Sequence, residues 1–323
     1  MSITQRRSLD SNAIKLIAIL AMTVDHIAWA VFPGYPRAAL PLLMHLIGRI
    51  TCPIMCYFIA EGFHYTHDVR KYTARLFLFA LFSHFCYLYA SNDFVDWHSF
   101  IPFYYGSLLN QTSVMWALAW GLVMLRVANS DKIVDRLKPL LIILICVLSF
   151  PSDWSCVASL CVLAFGTNRG DLKKQGLWLV IYVAIYAVVY CFAIDVVYGL
   201  LQMGVVLSLP VLRCYNGQRG RDPRVNRVMK WLFYLYYPLH LLLIGLLSNR
   251  PEPGNPARTH IPAGFVYLRR KWLRSVSSRP SACIRESSAD IALRSTERKS
   301  ASCCRLNGIV NSALPARCAC SDR

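Results

Sequence analysis

Apolar runs recur nine times in this chain, several of them long enough to cross a bilayer, and that recurrence restricts the fold more than any other feature. They fall at roughly 14–32, 38–63, 73–90, 113–127, 139–151, 155–167, 176–194, 196–212 and 230–248. A helix needs about 20 predominantly apolar residues to span the hydrocarbon layer. The expected fold is therefore all-α: a polytopic integral membrane helical bundle of about nine transmembrane helices. Composition agrees, with 56% hydrophobic residues and a mean hydropathy of +0.40. The first run follows Arg6 and Arg7 and resembles a signal peptide, but no small-residue cleavage site follows it. It is read as a retained first helix.

Orientation follows from charge. With the N-terminus inside, the connections 64–72, 128–138, 168–175 and 213–229 face the cytoplasm. Together with the N-terminus and the flanking helix ends they hold 19 Lys or Arg, whereas the outside connections before residue 249 hold only Arg37. That asymmetry predicts N-terminus in. It also accounts for the net charge of +18 without a nucleic acid partner; the expected surroundings are a lipid bilayer.

Three segments are expected: a short cytoplasmic N-terminus (1–13), a transmembrane domain (14–248) and a basic tail (249–323). Residues 251–323 hold 13 of the 35 basic residues and five of the 13 cysteines, with no long apolar run. The tail reads either as a disordered extension or as read-through or frame-shifted sequence, and no function is assigned to it. Cys52, Cys56, Cys86, Cys146, Cys156, Cys161 and Cys191 lie in or beside apolar runs, where cysteine behaves as a small hydrophobe. The tail pairs Cys303–Cys304 and Cys318–Cys320 lack zinc-site spacing, so no metal is expected.

Ionisable groups inside a span are costly and mark function or a buried pair. At 1.5 Å per residue Asp25 lies roughly 17 Å into the first span, Arg49 roughly 17 Å into the second and His240 roughly 15 Å into the last. All three fall near the midplane. Asp25 and Arg49 form the natural ion pair, and His26 and His240 remain as groups able to exchange a proton near neutral pH. Pro53 removes the helix bond to the carbonyl of Arg49, and Pro238 does the same to Tyr234. "GRITCPI" and "YYPLHLL" are expected to be broken helices. Glu61, His64 and His67 are read as solvated interface residues, and His84 as a buried hydrogen-bonding residue. Asn110 and Asp153 fall in outside connections, lining an entrance or capping helices.

Four stretches carry a family resemblance: "LIAILAMTVDHIAWAVF", "LIGRITCPIMCYFIAEGFHYT", "KYTARLFLFALFSHF" and "WLFYLYYPLHLLLIG". In order and spacing, over about residues 12–248, the chain resembles the TraX family of bacterial membrane proteins. The segment "NQTSVMW" after Asn110 departs from the family's N-x₂-F-T-L form. The resemblance implies inner-membrane transfer of an acetyl group from acetyl-CoA to an amine, the N-terminus of a pilin subunit in conjugative transfer. His26 is then the expected base. Asp25 orients it or pairs Arg49, Arg49 stabilises an oxyanion or binds a phosphate or carboxylate, and His240 relays protons or carries the acyl group transiently. No segment is assigned to hold the coenzyme; the positive-inside bias explains the cluster Arg219–Arg227. The competing readings are a transporter or channel and a structural component of a conjugation or secretion apparatus. The oligomeric state is left open.

Overall fold

The computed structural model describes residues 8–32, 34–91 and 111–248. The outside connection read from Asp93 and Asp96, Asn110, the extreme N-terminus and the tail beyond 248 lie outside the described residues.

Every apolar run becomes helix. In chain order these are α1 (Ser11–Val31), α2 (Ala39–Gly48), α3 (Thr51–Tyr65), α4 (Val69–Ser91), α5 (Val114–Ala128) and α6 (Lys138–Ser149). They continue with α7 (Ser155–Thr167), α8 (Leu172–Ala193), α9 (Val196–Leu201), α10 (Ser208–Arg213) and α11 (Pro223–Ser248). Among the described residues the only β pairing is two isolated bridges, Leu9 with Tyr215 and Thr112 with Ser152.

Six segments are long and apolar enough to cross a membrane: α1, α2–α3 as one, α4, α8, α9–α10 as one, and α11. The stretches α5, α6 and α7 are shorter, at 15, 12 and 13 residues. Placement compensates for length in two of them. Helices α5 and α7 pack against each other and α7 against α3, and most of their side chains are buried, with Leu118, Leu122, Leu125 and Val162 fully enclosed. A helix surrounded by protein has no lipid thickness to match. The long helices instead leave large apolar side chains uncovered, such as Leu20 on α1, Phe192 on α8 and Leu243 on α11. In a bilayer that surface meets acyl chains.

Local signals set the helix starts. Asp10 accepts from Ala13 N at 2.8 Å and caps α1. Asp195 accepts from Val197 N and Tyr198 N and caps α9, which splits the 38-residue apolar stretch 176–213 into two passes. Burial pushes the Asp195 carboxyl up, but the Arg37 bond at 2.8 Å and the two backbone N–H groups hold it below the usual carboxylate range.

Contacts gather the chain into two ends. Leu9 meets Tyr215, Asn12 meets Asn226, and Glu61 meets Arg169 at one end. Arg37 meets Asp195 and Pro36 meets Tyr198 at the other. The first end is the one that the charge pattern assigns to the cytoplasm.

The two proline segments differ. Pro53 has no N–H for the Arg49 carbonyl, and the helix does break there: Arg49 N–H tightens onto His45 O and Leu46 O, and a new helix starts at Thr51. The expected break at "YYPLHLL" is absent. α11 runs without interruption through Pro238.

Candidate functional site

Asp25 and His26 are neighbours on α1, so their side chains leave the helix about 100° apart. The two are consequently used on different faces. Asp25 faces α2 and His26 faces α11.

On the α2 face Asp25 is buried and collects two partners. Arg49 Nη2 donates to both carboxylate oxygens, at 3.1 and 3.0 Å. His45 Nδ1 lies 2.8 Å from Oδ1. Arg49 also donates from Nη1 to Gln202 Oε1 at 2.9 Å and from Nε to the His45 carbonyl at 3.3 Å. Its guanidinium lies over the Trp154 ring. Four of the five guanidinium donors are thus committed. An unpaired Arg at this depth would cost on the order of 3 kcal/mol; the bidentate carboxylate and the amide offset it. Gly48 makes the approach possible, because a Cβ there would land on the Asp25 side chain.

A carboxylate only accepts, so His45 presents Nδ1–H to Asp25. His45 is fully buried, and its Nε2 has no hydrogen-bond partner among the described residues. The Trp29 and Tyr198 rings pack around it, with centroids 4.5 and 5.5 Å away.

On the other face His26 Nδ1 lies 2.5 Å from His240 Nε2, and His240 Nδ1 lies 2.8 Å from the Tyr236 carbonyl. The proton positions follow by elimination. The carbonyl can only accept, so His240 carries its proton on Nδ1. Its Nε2 then accepts, which requires Nδ1–H on His26. The Nε2 of His26 is left with its lone pair, on a residue that is only half-buried. Thr23 Oγ1 and Tyr236 Oη bond at 2.5 Å one turn away and hold the α1–α11 seam.

All four expected site residues are therefore in contact with another of the set, but as two separate pairs: Asp25 with Arg49, and His26 with His240. Asp25 makes no hydrogen bond to His26. His45 and Gln202 were missed. His45 stands four residues before Arg49, hence on one helix face, and Gln202 is a lone amide in an apolar run; both signals are in the sequence.

The reading of Glu61 as solvated is corrected, whereas His64 and His67 are exposed as expected. Glu61 is buried and takes a two-pronged bond from Arg169, at 3.0 and 3.2 Å. Burial of a lone carboxylate is costly, and the cation 108 residues downstream, invisible to local pattern, removes that cost. His64 Nε2 meets the Gly166 carbonyl at 3.2 Å. His84 is bonded to Thr112 Oγ1 at 3.0 Å, as a buried hydrogen-bonding residue should be. Asp153 caps no helix with its side chain; its backbone joins Thr112 and Tyr186.

Comparison with known proteins places these residues in context. A family model described as TraX protein matches residues 10–248. A Dichelobacter nodosus protein named "Probable fimbrial assembly protein FimC, serogroup H1" is 29% identical over 254 residues, covering 74% of this chain and 96% of that protein. A protein of Rickettsia prowazekii (strain Madrid E), printed as "Uncharacterized protein RP591", is 25% identical over 142 residues, covering 38% of this chain and 53% of that protein. No solved structure matches.

Proposed function

The chain belongs to the TraX family, and from that premise we propose that it is an inner-membrane N-acetyltransferase that moves an acetyl group from acetyl-CoA to the N-terminal amine of a pilin. The observation that carries the reading is the His26–His240–Tyr236 chain, which leaves a basic Nε2 on a half-buried imidazole within the bundle. The fimbrial assembly name of the Dichelobacter relative supports a pilus substrate. The positive-inside pattern supports an inside N-terminus, with the coenzyme arriving from the basic end of the bundle.

In the proposed reaction His26 Nε2 takes a proton from the amine as its nitrogen attacks the thioester carbonyl. Positive charge on the imidazole spreads through Nδ1–H to His240. The tetrahedral oxyanion collapses, the C–S bond breaks, and the proton passes to the departing thiolate. The products are an acetylated amine and free CoA. Arg49 has one guanidinium hydrogen uncommitted, so its main part is positioning: it holds Asp25, and with it the face of α1 opposite His26.

A second base is favoured by one observation. His45 is oriented by a carboxylate and keeps a bare Nε2, the arrangement expected of a carboxylate-supported base. It is fully enclosed, which places it second.

Mass spectrometry of surface pilin from cells with and without the gene tests the activity. An acetyl increment that disappears on deletion, and fails to return with His26→Ala, is the expected result. Return of the increment with His26→Ala but not with His45→Ala would transfer the base to His45. Pilin of unchanged mass would sink the proposal.

A further inference from the structure

At the basic end of the bundle a cavity of about 420 Å³ opens between the first turns of α1, α4 and α11 and the end of α3. Four cations line it: Lys15, Arg75, Arg219 and Lys230. No Asp or Glu does, and none of the four is ion-paired among the described residues. A positive-inside bias accounts for cations facing water. It does not account for Lys15, which is half-buried one turn inside α1 with its Nζ over the Phe58 and Phe233 rings. Nor does it account for Arg75, whose Nε is buried without a hydrogen-bond partner. Charge withdrawn from water is costly unless an anion meets it.

The cavity also lies on the seam that carries the histidines. Lys15 and His26 are eleven residues apart, which returns to within about 20° of the same face of α1 and rises roughly 16 Å. Phe233, a cavity residue, and His240 share a face of α11 in the same way. Asn12–Asn226, Thr23–Tyr236 and His26–His240 succeed one another up two parallel helices. A ligand serving both places has phosphate at one end, a slender arm, and a reacting group at the other.

We propose that this cavity binds the phosphates of the acyl donor, a coenzyme A thioester whose arm runs along the α1–α11 seam to His26. The inference rests on the acetyltransferase reading and names where its donor is held. An anionic lipid headgroup shares the phosphate chemistry but has no reason to share the seam with His26.

The test is calorimetric binding of CoA and of inorganic pyrophosphate to the full chain in zwitterionic nanodiscs, repeated in discs containing phosphatidylglycerol. CoA should bind in zwitterionic discs and pyrophosphate should compete. Lys15→Met with Arg219→Gln should weaken CoA by about tenfold or more, whereas Arg224→Gln with Arg227→Gln, exposed on α11 outside the cavity, should change it less than about twofold. If loss of Lys15 unfolds the protein, Arg219→Gln with Lys230→Gln at the mouth replaces it. Unchanged CoA affinity in the cavity variants overturns the inference, as does phosphatidylglycerol binding with no CoA binding in zwitterionic discs. Should the parent acetylate pilin while the cavity variants bind CoA normally, the cavity assignment alone falls. A parent that neither binds CoA nor alters pilin takes both readings with it.

Discussion

The two faces of α1 put similar residues to opposite uses. Toward α2, Asp25, His45, Arg49 and Gln202 form a buried network in which nearly every donor and acceptor is matched. Toward α11, His26 and His240 form a short chain that ends in an unmatched basic nitrogen. A network this nearly closed leaves only the enclosed His45 Nε2 and one Arg49 hydrogen unfilled and has much to lose if cut. An unsaturated chain can accept a proton and contributes little to holding helices together. The comparison teaches that groups at one depth differ in how many hydrogen-bond positions they leave open, and it is on that difference that the proposed role of His26 rests.

The severest way to break the contrast is Asp25→Ala. It strands Arg49 and His45 in the interior and should cost about 3–5 kcal/mol, read as loss of folded protein after detergent extraction. A variant with the parent's thermal stability would mean the network is not structural. His26→Ala should do the reverse, lowering acetylation by about 10²–10⁴-fold while the melting temperature stays near the parent's. If stability fell and the residual rate stayed high, the two faces would have to exchange roles.

Gly48→Ala probes the network from the backbone side. Its Cβ meets the Asp25 side chain, and overpacking of this kind costs about 1–3 kcal/mol; an unaltered melting curve would show that α1 and α2 can separate freely. Tyr236→Phe removes the Thr23 bond, worth about 0.5–1.5 kcal/mol, but keeps the Tyr236 carbonyl on which His240 depends. Stability should dip while acetylation stays within a few-fold, and loss of the reaction would place the hydroxyl itself in the chemistry. The smallest effect is expected at Asp195→Asn, which can still cap α9 but loses the charge facing Arg37. The native carboxyl is held below its usual value, so its contribution is present above about pH 4 and fades as pH falls through the native value. The gap in melting temperature between parent and variant should be under about 1 kcal/mol in equivalent stability near neutral pH and should close on acidification. A gap that widened in acid would reverse the sign.

Much of this was readable in advance. Hydropathy located every helical stretch, because a membrane segment satisfies its backbone within itself and must show its length in the sequence. Simple rise per residue brought Asp25 and Arg49 to one depth. Asp195 marked the turn between α8 and α9 by its cost in an apolar run. Other features were not readable. Glu61 looks exposed until Arg169 arrives from another part of the chain. The Lys15–Arg75–Arg219–Lys230 cavity draws on three helices and a loop, and each cation alone is explained by topology.

The sequence by itself determined that this is a multi-pass helical membrane protein, where its charges lie, and which few polar residues enter the bilayer. Those properties are one-dimensional, written in run length and composition. Only the tertiary structure decided that Asp25 belongs to Arg49 and His45 and not to its neighbour His26. Adjacent residues on a helix point about 100° apart, so what each meets depends on which helix packs on which side. That choice set the His26 imidazole against His240 and buried the Asp25 charge beside Arg49 and His45.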